Sequence, residues 1–219
     1  MAKTPDDRPR QFITDGGIET HLIFNMGVDL PHFSAFPLND SAAGRDVIRS
    51  YYRDYLPVAQ AAGRSFLFAT DSWRASADWA DRLGYNRAML KQNNATSVAL
   101  CAELADEFAA AGVASAIAGV IGPRRDAWQY DAAMTVAEAC DYHSPQVEAF
   151  AGTAATSLHA YTLTNTPEAI GIARAAERAG LPLPSPSQSK PTEPCPEASR
   201  LASPLPRSTR RPVAIRPTT

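Results

Sequence analysis

Polar residues and glycines follow four short apolar runs of the sequence, and they are the first candidates for chemistry. An aspartate directly before two glycines, as in Asp15-Gly16-Gly17, predicts a carboxylate that holds a substrate amine or fixes a metal-bound ligand. The glycines would let the backbone approach that substrate closely. Because Gly, Asp, Asn and Thr also form turns and helix caps, a purely structural turn is the alternative at each cluster. The clusters are Asp15-Gly16-Gly17 with Glu19, Thr70-Asp71-Ser72, Gly119 with Gly122-Pro123, and Thr164-Asn165-Thr166.

Other side-chain chemistry has little support in the sequence. The histidines show no HxxxH or HxH spacing, so neither a histidine metal site nor a catalytic triad is indicated. The cysteines form no CxxC pair and no signal-peptide pattern is present, which favours a reducing compartment and a cytoplasmic protein. No lysine follows a predicted strand, which excludes a Schiff-base aldolase. The residues concerned are His21, His32, His143 and His159; Cys101, Cys140 and Cys195; and Lys3, Lys91 and Lys190.

The composition is that of an ordinary folded protein. The chain has 219 residues, 45% hydrophobic and 20% charged, with a net charge of −2. These values exclude a wholly disordered chain, and the near-neutral net charge does not indicate nucleic-acid binding. No window approaches about eighteen uninterrupted apolar residues, so no membrane span is predicted. The expected partner is a small molecule, with neither nucleic acid nor a membrane.

Short apolar runs alternate with longer helical patterns, which predicts a series of βα units and a parallel sheet. The predicted strands are 11–14, 65–70, 114–120 and 158–163. The predicted helices are 46–62, ending at Gly63; 90–111, ending at Gly112; one beginning at Ser144-Pro145; and one from Thr166 to Gly180. A G-x-G-x-x-G turn is absent after the first strand, which argues against a dinucleotide site. A doubly wound sheet and half of an eight-unit barrel both remain open on periodicity alone.

The composition changes after residue 181. Ten of the eighteen prolines lie in 182–219, whereas all twelve glycines lie before residue 181. This last segment has no apolar periodicity and carries six Lys and Arg against two Asp and Glu. Such a segment buries too little apolar surface to offset its ordering entropy. We expect a body at 1–181 and a disordered Pro-rich tail at 182–219.

The string Ile13 to Thr20 resembles the opening of the homocysteine S-methyltransferase family. Four further segments resemble successive elements of that family in the same order, over about residues 12–181. They are Tyr52 to Leu56, Phe68 to Ser76, Ala118 to Pro123 and Leu163 to Ala169. The resemblance implies an α/β fold of the (β/α)8 TIM-barrel type, here truncated to about four βα units.

The activity that the resemblance implies is methyl transfer from a sulfonium or methylated donor to a thiol, usually homocysteine, giving methionine. Asp15 with the backbone at Gly16 and Gly17 would line the pocket for the amino-acid end of the substrate, with Thr70 beside them. Family members commonly have a glutamate after strand four, where this sequence has Thr164 and Asn165. A neutral pair would hold an ammonium group less strongly, so the acceptor can differ from homocysteine.

The resemblance also implies a zinc ion that binds the acceptor sulfur and keeps it in the thiolate form. Its ligands are a cysteine in a Gly-x-Asn-Cys turn and two adjacent cysteines, and neither motif occurs in this sequence. No metal ligand is therefore predicted, and the chain is expected to be inactive. The alternative function is a non-catalytic half-barrel that binds a partner or self-associates through exposed barrel edges.

The tail permits a genetic hypothesis. With permissible codon choices, a shifted reading frame turns 182–196 into a strand and turn, and 199–211 into an amphipathic helix, both like the next family elements. We hypothesise that residues from about 182 onward are frameshifted. A native proline-rich segment is the alternative.

Overall fold

The computed structural model describes residues 11–126 and 134–183. Its strands are β1 (Phe12–Thr14), β2 (Ser65–Ala69), β3 (Ser115–Ile121) and β4 (Ser157–Ala160). Its α-helices are α1 (Ile18–Phe24), α2 (Ala42–Arg53), α3 (Leu56–Ala62), α4 (Ala77–Arg82), α5 (Arg87–Ala110), α6 (Val136–Phe150) and α7 (Thr166–Ala179). Short 3₁₀ turns at Pro31–Phe33 and Phe36–Asp40 lie between α1 and α2. No helix in these two ranges is long and apolar enough to cross a membrane.

The four strands form one parallel sheet in the order β1-β2-β3-β4. Each strand therefore pairs with the next one along the chain. This sequential order is that of a (β/α) barrel, whereas a doubly wound sheet reverses its strand order at a switch point. The observed topology confirms the βα series and favours the barrel arrangement over the doubly wound alternative.

The two faces of the sheet differ. The face toward the helices carries large apolar side chains, all part of the main hydrophobic core: Phe66, Phe68, Ile117, Ile121 and Leu158. Neighbouring residues on each strand point to the opposite face, as the period of two requires. That second face carries Thr14, Leu67, Ala69, Ala118 and Val120. Smaller side chains there leave room for a cavity at the end of the sheet.

The helix predicted over 46–62 is two helices, α2 and α3. Pro57 lies in the first turn of α3. In the middle of a continuous helix, Pro57 would have no amide hydrogen to donate to the carbonyl of residue 53, and its ring would clash with that carbonyl. The chain therefore ends α2 at Arg53 and starts again at Leu56. The predicted end at Gly63 is confirmed, with the glycine in a left-handed conformation at φ 58°.

The start predicted at Ser144-Pro145 is wrong, because Pro145 lies inside α6. This helix begins at Val136 after Thr135, whose hydroxyl accepts from the Glu138 amide while the Glu138 carboxylate accepts from the Thr135 amide at 2.8 Å. Such a reciprocal pair satisfies two amides that a helix start otherwise leaves free. The helix predicted from Thr166 to Gly180 is confirmed as α7.

Residues 182 and 183 still pack against the predicted body of the protein. The Leu158 amide donates to the Pro182 carbonyl at 3.0 Å. Leu183 packs against the main core. The ordered part thus extends beyond Leu181, the predicted boundary of the body. The rest of the predicted tail, from residue 184 on, lies outside the described residues.

Candidate functional site

A cavity of about 400 Å³ lies at the carboxyl ends of the four strands. In parallel α/β folds this edge is where ligands bind, because loops from several strands converge there. Its lining residues come from the ends of all four strands and from the segment after α1. They are Thr14, Asp15, Gly17, Ile18, Glu19, Thr20, Phe33, Ala69, Thr70, Trp73, Val120, Tyr161 and Thr162.

The loop after β1 is held in place by two tyrosines that are four residues apart in the sequence, one in α2 and one just before α3. Asp15 Oδ2 accepts a hydrogen bond from Tyr51 Oη at 2.8 Å and from the Gly17 amide at 3.3 Å. The Gly16 amide donates to Tyr55 Oη at 2.9 Å, and the two tyrosine hydroxyls are 3.3 Å apart. Gly17 has φ 100°, a conformation that glycine adopts without steric cost. The Asp15 carboxylate therefore reaches the cavity in a fixed orientation.

Burial raises the pKa of Asp15, and its hydrogen bonds to Tyr51 and Gly17 oppose that rise. A ligand ammonium placed beside this carboxylate would favour the charged form further, because opposite charges stabilise each other. The loop can thus supply one anionic contact for a ligand.

A second carboxylate, that of Glu19, lines the same cavity from the first turn of α1. Burial raises the pKa of Glu19 to about 7; Asp71 and Asp15 add to the rise, while its own amide and Arg74 oppose it. Among the described residues, no other side chain donates a hydrogen bond to this carboxylate. Glu19 is consequently available to a ligand.

Aromatic residues form part of the cavity wall. Trp73 Nε1 donates to Thr162 Oγ1 at 3.1 Å, which joins the segments after β2 and β4. Phe33 packs edge-to-face on Trp73 with ring centroids 6.4 Å apart. Tyr161 completes this wall. Gly122 lets Trp73 approach, since a Cβ there would lie 2.3 Å from the Trp73 carbonyl oxygen.

Backbone strain concentrates around this aromatic wall. His32, Phe33 and Thr162 have φ of 54°, 58° and 59°, a region that side chains other than glycine rarely adopt. The guanidinium of Arg74 donates to the His32 carbonyl and stacks on the Trp79 ring at 3.9 Å, which holds this strained segment against the cavity. Strained residues of this kind cluster at ligand sites, where the surrounding structure must enforce them.

Thr70 and Asp71, two of the polar residues after β2, have structural partners. The Thr70 hydroxyl accepts from the Val120 amide at 2.8 Å and lies 2.6 Å from Ser72 Oγ, which itself donates to the Val120 carbonyl. Thr70 therefore lines the cavity with its hydroxyl proton directed to Ser72. Asp71 lies outside the cavity lining and accepts from Asn39 Nδ2 at 2.9 Å, and burial raises its pKa.

Two predicted pocket residues lie elsewhere. Strand β4 ends at Ala160 instead of 163, so Tyr161 and Thr162 line the cavity in place of Thr164 and Asn165. Asn165 caps α7: its Oδ1 accepts from the Glu168 amide at 2.9 Å. Thr164 is exposed and outside the lining. The structure therefore brings together Asp15, Gly17 and Thr70 of the six predicted residues, and Gly16 adjoins them through its bond to Tyr55.

A buried carboxylate between α6 and α7 forms a second polar cluster. Glu168 Oε1 accepts from His143 Nε2 at 2.9 Å and from the Arg124 amide at 2.7 Å, and Asn165 Nδ2 donates to Oε2 at 3.1 Å. Burial alone would raise the pKa of Glu168, but these donors together outweigh it and lower that pKa. This cluster ties the end of β3 to the last two helices.

A zinc centre does not fit the residues that the structure describes. Within 11–126 and 134–183 no group of three His, Cys, Asp or Glu side chains could hold a metal ion. The described thiols, Cys101 and Cys140, are free and buried, and burial raises the pKa of Cys101 well above its ordinary value. Cys195 lies outside the described residues. No catalytic step can be derived through zinc from these side chains.

Several cavity residues have only weak signals in the sequence. Tyr51 and Tyr55 lie within the helix predicted over 46–62, and a helical pattern cannot show that their hydroxyls hold the Asp15 loop. Trp73 directly follows the predicted Thr70-Asp71-Ser72 cluster, so its place in the site could have been inferred. Phe33 depends on a strained turn that no local pattern indicates.

Comparisons with known proteins show the family of this chain. The family model for homocysteine S-methyltransferase matches residues 12–192, which is most of the chain. The chain belongs to this family. The match begins at Phe12, as the resemblance predicts, and runs eleven residues past the predicted end at Leu181. No curated protein sequence matches the chain.

Two solved structures share the fold. Both are the homocysteine methyltransferase MmuM from Escherichia coli, and each is 24% identical to this chain. The metallated form has a TM-score of 0.64 and covers 80% of this chain and 61% of its own. The oxidised form has a TM-score of 0.65 and covers 78% and 60%. The family member described here thus spans about three fifths of the length of MmuM.

Proposed function

We propose that the cavity binds an amino-acid thiol and a methyl donor, and that the chain is an S-methyltransferase-like protein acting on homocysteine or a similar thiol. One observation carries the proposal: Asp15, fixed by Tyr51, lines a cavity at the carboxyl ends of the strands in a member of this family. Methionine biosynthesis in the cytoplasm is the corresponding role. The Asp15 carboxylate would hold the ammonium group of the acceptor.

The proposed reaction forms a bond between the acceptor sulfur and the methyl carbon of the donor. The bond from that carbon to the donor breaks, its electron pair stays on the donor, and the acceptor thiol releases its proton to water. A thiol near pKa 8.5 is mostly protonated at neutral pH, so loss of this proton must be assisted. The residues of the cavity contribute by orienting the reactants, with Trp73 and Phe33 excluding water from the apolar side.

Zinc would supply thiolate activation in this family, but the described side chains do not fit a zinc site. We therefore propose that this chain binds its ligands and turns them over slowly or not at all. The proposal predicts saturable binding of homocysteine with little labelled methionine formed.

The test is calorimetric titration of the full chain with homocysteine, together with a methyl-transfer assay from a ¹³C-methyl sulfonium. Asp15→Asn should weaken binding about 10- to 100-fold, because a hydrogen bond to a charged group contributes about 1.5–3 kcal/mol. Asp106→Asn is the matched control, since this aspartate is exposed on α5. Equal affinity in Asp15→Asn and the unaltered chain would overturn the binding proposal, and rapid turnover would overturn the proposed inactivity.

A second function, self-association, is favoured by the sheet itself. In the sheet formed by the described residues, β1 and β4 are the edge strands. An edge strand can present unpaired amides and carbonyls to another chain, although on β4 the Leu158 amide already donates to the Pro182 carbonyl. Sedimentation equilibrium tests this second candidate: a single monomeric species at micromolar concentration would contradict it.

A further inference from the structure

A crevice of about 140 Å³ lies between the first turns of α5 and the second half of α6. None of its lining residues belongs to the lining of the cavity at the carboxyl ends of the strands. At about 30 Å³ for each water molecule, the crevice has the space of about five waters. A small molecule therefore fits this crevice, whereas a nucleotide is too large for it.

Opposite charges line the crevice without pairing. Arg87 and Lys91 are exposed cations on α5, and Glu148 is an exposed anion on α6. In the part of the chain that the structure describes, none of these three side chains forms an ion pair or a hydrogen bond. Residues four apart on a helix are neighbours on its surface, so Arg87 and Lys91 can contact the same group. The crevice thus has a cationic side on α5 and an anionic side on α6.

The same crevice contains a buried acceptor without a donor. Gln146 is only 3% exposed and lines the crevice. Its Nε2 donates to the Ser72 carbonyl at 2.9 Å, which fixes the orientation of the amide. Its Oε1 accepts no hydrogen bond from any described residue. A buried oxygen without a donor is costly, so a ligand that brings an N–H group to it gains affinity.

These features together select one type of ligand. The pair of cations requires an anionic group, such as a carboxylate. Glu148 repels a ligand that is only anionic, whereas Glu148 and Gln146 Oε1 can both accept hydrogen bonds from an ammonium group. Leu90 and Pro145 supply an apolar surface for a short side chain. An α-amino acid carries a carboxylate, an ammonium group and a side chain on one carbon atom.

We propose that the crevice between α5 and α6 binds a small α-amino acid as its zwitterion. The carboxylate of the ligand contacts Arg87 and Lys91, and its ammonium group donates to Gln146 Oε1 and Glu148. The side chain of the ligand contacts Leu90. This site is separate from the cavity at Asp15, and its assignment does not depend on the proposed function.

The test is an NMR titration of the ¹⁵N-labelled full chain with three probes: L-alanine, propionate and ethylammonium. Propionate lacks the ammonium group of L-alanine, and ethylammonium lacks its carboxylate. L-Alanine should shift the backbone amides of residues 87–94 and 146–148 with an affinity about tenfold above that of either smaller probe, because only L-alanine satisfies both sides of the crevice. The side-chain amide signals of Gln146 should shift with L-alanine and stay in place with propionate, which has no N–H donor.

Variants separate the two sides of the crevice. Arg87→Gln should weaken both L-alanine and propionate about fivefold, because both probes carry the carboxylate. Glu148→Gln should weaken L-alanine about fivefold and should not weaken propionate, since it also removes a repulsion. The matched controls, Arg174→Gln and Glu177→Gln, remove the same charges from exposed positions on α7 and should change neither affinity.

Three results would overturn the assignment. The first is L-alanine that leaves the amides of 87–94 and 146–148 in place. The second is a Glu148→Gln variant that weakens L-alanine and propionate equally, or weakens neither. The third is L-alanine that shifts only the amides around Asp15 and no longer binds to Asp15→Asn, because the ligand would then occupy the other cavity.

Discussion

Two carboxylates of this protein, the half-buried Glu19 and the buried Glu168, have opposite surroundings. Glu168 accepts hydrogen bonds from His143, the Arg124 amide and Asn165, and its pKa is lowered. Glu19 accepts none from another described side chain, and its pKa is raised to about 7. The same residue type is thus stabilised as an anion at one place and destabilised at the other.

The difference distinguishes a structural carboxylate from one left for a ligand. Glu168 connects three segments of the fold and has no free acceptor function toward the cavity. Glu19 lines the cavity and accepts no hydrogen bond from another described side chain. Substitutions at the two positions should therefore have opposite effects on stability.

The largest effect is expected at the structural carboxylate. Glu168→Ala should lower the free energy of unfolding by about 3–5 kcal/mol, because it leaves the buried donors of His143 and Asn165 without their acceptor. Urea unfolding followed by circular dichroism measures this change. Glu148→Ala on the exposed side of α6 is the control and should change stability by less than about 0.5 kcal/mol. Equal free energies of unfolding of the two variants would contradict a structural role for the Glu168 carboxylate.

The next effect has the opposite sign and depends on pH. Because the pKa of Glu19 is raised in the fold, its contribution to stability is present below about pH 4.5 and is lost as the pH rises through about 7. Glu19→Gln should match the unaltered chain at low pH and exceed its stability by about 2 kcal/mol above pH 7, after a discount for partial exposure. Urea unfolding across this pH range is the measurement. A variant less stable than the unaltered chain at pH 8 would contradict an unpartnered Glu19.

The smallest effect tests the support of the binding loop. Tyr51→Phe removes the hydroxyl that donates to Asp15 and should weaken homocysteine binding about threefold to tenfold, since one hydrogen bond contributes about 0.5–1.5 kcal/mol. Tyr85→Phe is the matched control, because the Tyr85 hydroxyl donates to Asp40 away from the cavity. Equal affinities in these two variants would show that Tyr51 does not position Asp15 for binding.

The sequence was sufficient to predict the elements whose signals are local. Gly63 and Gly180 end helices because they adopt positive φ, and both ends were predicted. The Asp15 loop was found because an aspartate before two glycines is a specific local pattern. The alternation of apolar runs with helical patterns was enough to predict four parallel strands, while their sequential order is seen only in the structure.

Other features depend on contacts that local patterns do not contain. Pro145 was interpreted as a helix start, although the capping pair Thr135 and Glu138 was present in the sequence. The apolar Leu163 extended the predicted fourth strand beyond Ala160, which displaced the predicted site from Tyr161 to Asn165. The availability of Glu19 could not be predicted, because it depends on which donors the folded chain brings to each carboxylate.

The most direct test of the central claim is a ¹³C NMR titration of the glutamate side-chain carboxyls, with Glu19 and Glu168 assigned by substitution. We expect Glu19 to titrate with a midpoint near pH 7 and Glu168 below the ordinary glutamate value. Saturating homocysteine, whose ammonium group would enter the same cavity, should lower the midpoint of Glu19 and leave that of Glu168 unchanged. A Glu19 midpoint near 4.5 that does not respond to homocysteine would contradict the claim that this carboxylate is available to a ligand cation.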